Sequence, residues 1–149
     1  MGSTTCDDAA IRNLIASYAH ATDDGDGEAL AALFVEGGGL ESLGLSITGS
    51  DKLTALIKGI YHANLKHLQL NTVITVDGAR ASAVSDLVVQ AMVPDAGWQT
   101  MAQGRYHDEM TRQGERWQFT KRLIVWHRAT PDAIAEQLRT LMSGGIRAR

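Results

Sequence analysis

Two short stretches hold the residues best suited to chemistry. Tyr18-Ala-His-Ala-Thr-Asp23-Asp24 lies near the start of the 149-residue chain, and His67-Leu-Gln-Leu-Asn71 lies near its middle. A carboxylate that takes a hydrogen bond from one imidazole nitrogen leaves the other nitrogen as a general base, with no metal or cofactor required. Asp23 and His67 are the candidates for that pair. On a helical wheel begun at Ile11, Asp23 falls about 120° round, at the edge of the apolar stripe, and Asp24 about 220° round, so Asp23 is the inward carboxylate. A carboxylate at the C-terminal end of a helix opposes the macrodipole and has no capping reason to be there. The plain alternatives are that Asp23-Asp24-Gly25-Asp26-Gly27 is a solvated turn and that His67 is a satisfied structural histidine.

Other polar residues surround this pair in the sequence. Tyr18 serves either as an acid or oxyanion donor or as a core residue with its hydroxyl satisfied. Arg122, on a Trp/Phe-rich strand, is either a snorkelling surface residue or a pocket cation for a leaving group or acid substrate. Asn71 is a further polar candidate on the His67 face. Tyr106 and Asp108 share a strand face and line either a pocket or a subunit interface. No HExxH pattern or cysteine cluster accompanies His20, His62, His107 and His127, so no metal site is expected. Gly37-Gly38-Gly39 lacks the nucleotide-loop fingerprint, and no serine nucleophile elbow occurs. The expected chemistry is cofactor-free.

The elements that must position these residues follow from periodicity. Asp7-Asp8 is the expected N-cap of a helix with Ile11, Leu14, Ile15, Tyr18 and Thr22 on its buried stripe. Asp26 caps a second helix over residues 28–34, and the triple glycine breaks the chain before two short extended pieces around 40–43 and 45–48. Ser50-Asp51 opens a third helix to about Asn64, burying Leu53, Leu56, Ile57 and Ile60. From Lys66 the pattern alternates, with Leu68, Leu70, Ile74 and Val76 on one face and His67, Gln69, Asn71 and Val73 on the other. Strands over residues 80–93, 98–112 and 116–127 follow, joined by turns at Asp77-Gly78, Pro94-Asp95-Ala96-Gly97 and Gln113-Gly114-Glu115. Thr130-Pro131 starts a terminal helix. This order predicts an α+β domain, one strongly curved antiparallel sheet with helices across its concave side.

The whole chain, residues 1–149, reads as a single domain with loose tails at about 1–7 and 143–149. Apolar residues make up 44% and charged residues 21%, ordinary for a globular protein and too apolar for disorder. A formal charge of -3 without a basic face argues against nucleic acid as a partner. No apolar run reaches the roughly 18 residues of a membrane span, and no secretory signal leads the chain. A lone cysteine, Cys6, forms no internal disulfide, so a cytoplasmic location is expected.

Several spaced motifs carry a family resemblance. They are Ile11-x-x-Leu14-x-x-x-Tyr18-x-x-x-x-Asp23, Leu30-x-x-Leu33-Phe34, His67-x-x-x-Asn71, Gly104-Arg-Tyr106-x-Asp108 and Gly114-x-x-Trp117-x-Phe119-x-x-Arg122. Together they resemble the nuclear transport factor 2-like cone fold (a cystatin-like α+β barrel) and, within it, the SnoaL-like group. The resemblance covers nearly the whole chain. It extends to the branch of scytalone dehydratase, hexachlorocyclohexane dehydrochlorinase and bile-acid dehydratases, in which an Asp ending the first helix orients a His on the first long strand. Asp23 and His67 stand at those positions, and Tyr18 and Arg122 match a tyrosine and a late arginine of the bile-acid enzymes. The resemblance implies a lyase acting on a small apolar oxygenated molecule, in a homo-oligomer (dimer or trimer) formed through the outer sheet face where Leu68, Leu70 and Ile74 are expected. The same parts serve isomerases and polyketide-type cyclases, and other members of the fold are non-catalytic binding or assembly modules. Where relatives carry an acidic or aromatic pocket residue, this chain reads Glu36-Gly37-Gly38-Gly39, which enlarges or loosens the pocket.

Overall fold

A computed structural model describes residues 4–61 and 64–127, with side chains from residue 6 onward. The elements are α1 (Thr4–Asp23), α2 (Gly27–Ala31), β1 (Phe34–Ser42), β2 (Leu45–Thr48), α3 (Ser50–Ile60), β3 (Leu65–Asp77), β4 (Arg80–Val93), β5 (Gly97–Gln113) and β6 (Arg116–Trp126). The six strands form one sheet in the order β2-β1-β6-β5-β4-β3. It is a curled, unclosed α+β cone, as expected, but one pairing differs from an all-antiparallel sheet. β1 runs parallel to β6, because the chain enters the sheet at β1 and returns beside it only after three hairpins. The expected terminal helix from Thr130 and the tail at Gly144–Arg149 lie outside the described residues.

The apolar spacing of α1 works as read: Ile11, Leu14, Ile15 and Tyr18 are buried on the concave side. The helix nevertheless starts at Thr4, ahead of the cap expected at Asp7-Asp8 and inside the stretch expected to be a loose tail. Asp7 is buried and does something else. It accepts the Trp117 indole N–H at 2.9 Å and Arg112 Nη1 at 3.2 Å, tying the helix start to the β5–β6 end of the sheet. Asp26 does cap α2, accepting the Ala29 N–H at 2.9 Å. That helix ends at Ala31 rather than Phe34, because Phe34 is drawn into β1 opposite Phe119. The three glycines do not break the chain. They carry β1 through a register shift, and a Cβ at Gly39 would overlap the Ile47 carbonyl of β2.

The four long strands fall within a residue or so of their expected ends, and Gly78, at φ +58°, turns the first hairpin. One strand does not keep a single alternation. The β3–β4 register shifts between Leu70 and Val73, where Asn71 adopts a left-handed φ of +52°. One extra residue exchanges the two faces beyond it. His67, Gln69, Thr72, Ile74 and Val76 therefore face inward, while Leu68, Leu70 and Val73 are exposed on the outside. The expected grouping of Ile74 and Val76 with Leu68 and Leu70, and of Asn71 and Val73 with His67, is thus corrected. Ile74 is not on the outer face.

Candidate functional site

Asp23 closes α1, and β3 is an edge strand with α1 packed along it. That arrangement brings two residues 44 positions apart into direct contact. His67 Nδ1 lies 2.7 Å from Asp23 Oδ1, and the His67 backbone N–H donates to both carboxylate oxygens at 3.1 and 3.2 Å. The side chains are 10% and 7% exposed, so the contact is shielded from bulk water. Lys66 Nζ approaches Asp23 Oδ2 at 3.8 Å from the half-exposed side. These donors supply what the C-terminal end of the helix cannot, and they offset the repulsion between the carboxylate and the helix carbonyls. An ionised carboxylate only accepts, so the neutral imidazole carries its proton on Nδ1 and keeps a lone pair on Nε2. No described residue hydrogen-bonds to Nε2. A groove of about 340 Å³ between α1 and β3 borders His67, with Ile15, Ala16, Leu68, Gln69 and Leu70 also along it.

Tyr18, Tyr106, Asp108 and Arg122 come together deeper in the cone. Arg122 is fully buried and makes a two-point ion pair with Asp108, Nε to Oδ1 and Nη2 to Oδ2, both at 2.8 Å. Its Cζ lies 3.9 Å from the Tyr106 ring centroid, 4.2 Å from Tyr18 and 4.6 Å from Phe119, a three-ring cage of cation–π contacts. The arginine is therefore no surface residue. Burial works against its charge, but the charge and hydrogen bonds of Asp108 together with the Tyr106 and Tyr18 phenols outweigh it and raise its pKa. Burial likewise raises the Tyr18 phenol, against the opposing pull of Arg122, and lifts Tyr106 well above the ordinary tyrosine range with Tyr18 adding to the effect. Both phenols are held as donors. Among the described residues the buried Arg122 Nη1 has no hydrogen-bond partner, leaving one cationic donor in reserve.

Of the expected residues, the fold brings Asp23 and His67 into contact and gathers Tyr18, Tyr106, Asp108 and Arg122 inside, so Tyr106 and Asp108 are interior rather than interface residues. Asn71 is not among them. The bulge turns it outward, where its amide donates to Asp86 Oδ2 at 2.9 Å; this bond first, and Arg105 second, hold the Asp86 carboxyl below its usual range. The sequence places Gln69 with His67 and Asn71 as polar groups on one face that need partners, but assigns Gln69 no site role. Its Oε1 accepts from Arg122 Nη2 at 2.6 Å and its Nε2 donates to the Ile15 carbonyl at 2.9 Å. Among the described residues no group of three or more His, Cys, Asp or Glu side chains is placed to hold a metal ion.

Residues 3–123 match the family described as the SnoaL-like domain. No curated protein is significantly similar in sequence. Among solved structures, a Mycobacterium tuberculosis protein of unknown function is 24% identical, with a TM-score of 0.84 over 95% of this chain and 89% of that one. An NTF2-like protein with a cystatin-like fold from Novosphingobium aromaticivorans is 27% identical, with a TM-score of 0.76 over 87% of each chain. A putative scytalone dehydratase from the same organism is 23% identical, with a TM-score of 0.71 over 81% of this chain and 84% of that one.

Proposed function

The chain belongs to the SnoaL-like domain family, and from that premise we propose that it is a cofactor-independent lyase of the dehydratase kind, acting on a small apolar oxygenated molecule. The observation that carries this reading is the 2.7 Å contact between His67 Nδ1 and Asp23 Oδ1 in a shielded setting. Nε2 of His67 takes a proton from a carbon made acidic by a neighbouring carbonyl or ring. Asp23 holds the imidazole in the Nδ1–H tautomer and stabilises the imidazolium. The electron pair left by the C–H bond forms the new double bond as the C–O bond to the leaving hydroxyl breaks. The imidazolium returns its proton to that oxygen, water departs and His67 is neutral again. Tyr18, kept protonated by burial, and Arg122, through Nη1, are the donors available to the departing or developing oxygen.

An isomerase or cyclase would use the same base, and product mass separates them: loss of water marks the lyase, an unchanged mass the others. The test is a screen of β-hydroxy carbonyl and hydroxylated ring compounds against the wild type and His67→Ala. Turnover with loss of water by the wild type alone is the expected result. Equal turnover by both proteins would overturn the reading. We also propose a homo-oligomer formed through the outer sheet face, where Leu68, Leu70 and Val73 are 41%, 47% and 68% exposed.

A further inference from the structure

We infer that Gln69 is a positioning residue: it transmits the rigidity of the far wall of the cone to the Asp23–His67 pair. In sheet order β6 and β3 are separated by β5 and β4. Arg122 on β6 nevertheless reaches Gln69 Oε1 on β3 at 2.6 Å, a chord across the concave side. Gln69 then passes the connection to α1, donating to the Ile15 carbonyl at 2.9 Å. The amide has one workable orientation, because a guanidinium only donates and a carbonyl only accepts. The post it leans on is rigid, since the bidentate Asp108 and three aromatic rings fix Arg122.

The geometry explains why a second tie matters. The Asp23–His67 bonds join α1 to β3 at the helix end, and Asp7 ties the helix start to β5 and β6, which leaves the middle of the helix to be fixed against β3. Ile15 stands eight residues earlier in α1, about 12 Å along the axis. Gln69 stands two residues past His67 on the same inner face of β3. Two ties at different points on both elements fix how α1 lies along β3 and hold the carboxylate in register with Nδ1. The charge of Arg122 is already matched by Asp108, so its bond to Gln69 serves placement rather than neutralisation.

The inference rests on reading Asp23 and His67 as the reacting pair, but its test needs no substrate. Long-range proton–nitrogen spectra of the imidazoles report which nitrogen of His67 carries the proton. The wild type is expected to show a single Nδ1–H tautomer. Gln69→Leu removes both bonds. Gln69→Glu keeps an acceptor for Arg122 but sets a carboxylate against the Ile15 carbonyl, which separates the α1 tie from general stability. Both variants are expected to show a mixture of Nδ1–H and Nε2–H forms, and Gln69→Glu answers the question if Gln69→Leu fails to fold. Leu40→Ala, a core truncation on β1, is expected to lower the melting temperature while leaving the single tautomer intact. A single Nδ1–H tautomer in Gln69→Glu would overturn the inference. Absence of turnover in the substrate screen, with these spectra as expected, would count against the lyase reading alone.

Discussion

At the scale of the residue, the clearest feature is how completely Asp23 is engaged by His67. The carboxylate accepts the ring Nδ1 and the backbone N–H of the same residue, so it fixes both the tautomer and the strand that carries it. Asp23→Asn keeps one acceptor oxygen but adds a donor, which favours the opposite tautomer. We expect it to lower kcat by about 10²–10⁴-fold, the usual worth of a positioned general base, and to cost some stability, measurable by denaturant unfolding. His67→Ala is expected to lose the same activity with a folded circular dichroism spectrum. The buried phenols give a pH prediction. Tyr18 and Tyr106 have raised native pKa values, so above the unfolded value of about 10 the unfolded chain releases protons that the native chain retains. The stability they contribute is present below that pH and is lost as pH rises past it. Unfolding midpoints measured from pH 8 to 11 should therefore fall in the upper part of the range, and Tyr18→Phe should flatten the decline.

At the scale of the element, polar ties and close approaches decide how helices and strands meet. Asp7 satisfies the indole N–H of the buried Trp117 and also takes Arg112. Asp7→Ala strands that N–H, so a loss of about 1–3 kcal/mol is expected in urea unfolding, with the Trp fluorescence shifted. Gly39 marks a close approach of β1 to β2, where a Cβ would meet the Ile47 carbonyl and the Thr48 backbone. Gly39→Ala is expected to push β2 away from β1 and to destabilise by about 1–3 kcal/mol, the range of an overpacked core site. Gly37 has open space where its Cβ would be, and it contrasts usefully: the cost of Gly37→Ala comes from its φ of +73° alone. The spacing of α1, α3 and the long strands was legible because each has one buried face and keeps a simple period along most of its length. The bulge at Asn71 was not, since a single left-handed residue leaves no mark in an alternating pattern.

At the scale of the whole molecule, the curled sheet turns sequence-distant residues toward one interior. Arg122 and Gln69, 53 positions apart, meet across the concavity. The outer face keeps exposed apolar side chains beside a polar network of Asn71, Asp86 and Arg105. For the proposed oligomer, light scattering is expected to give a mass above that of one chain, and Leu70→Lys with Val73→Lys is expected to lower it to the monomer. Val73 lies outside the groove that borders His67, so turnover should persist in Val73→Lys alone.

The residue types and their spacing by themselves determined the α+β class, the buried stripe of α1, the long hairpins and the candidacy of Asp23 and His67. The elements depend on local periodicity, a property of neighbouring residues; the candidacy of Asp23 and His67 depends on the misfit of a carboxylate at a helix C-terminus and on the family resemblance of the spaced motifs. Only the tertiary structure decided which polar groups meet. It turned Asn71 outward through one positive φ, buried Arg122 in a cage of three rings against Asp108, and made Gln69 the bridge to α1. The reason is that register shifts and sheet curvature accumulate over many residues, and a hydrogen bond across the cone depends on their sum.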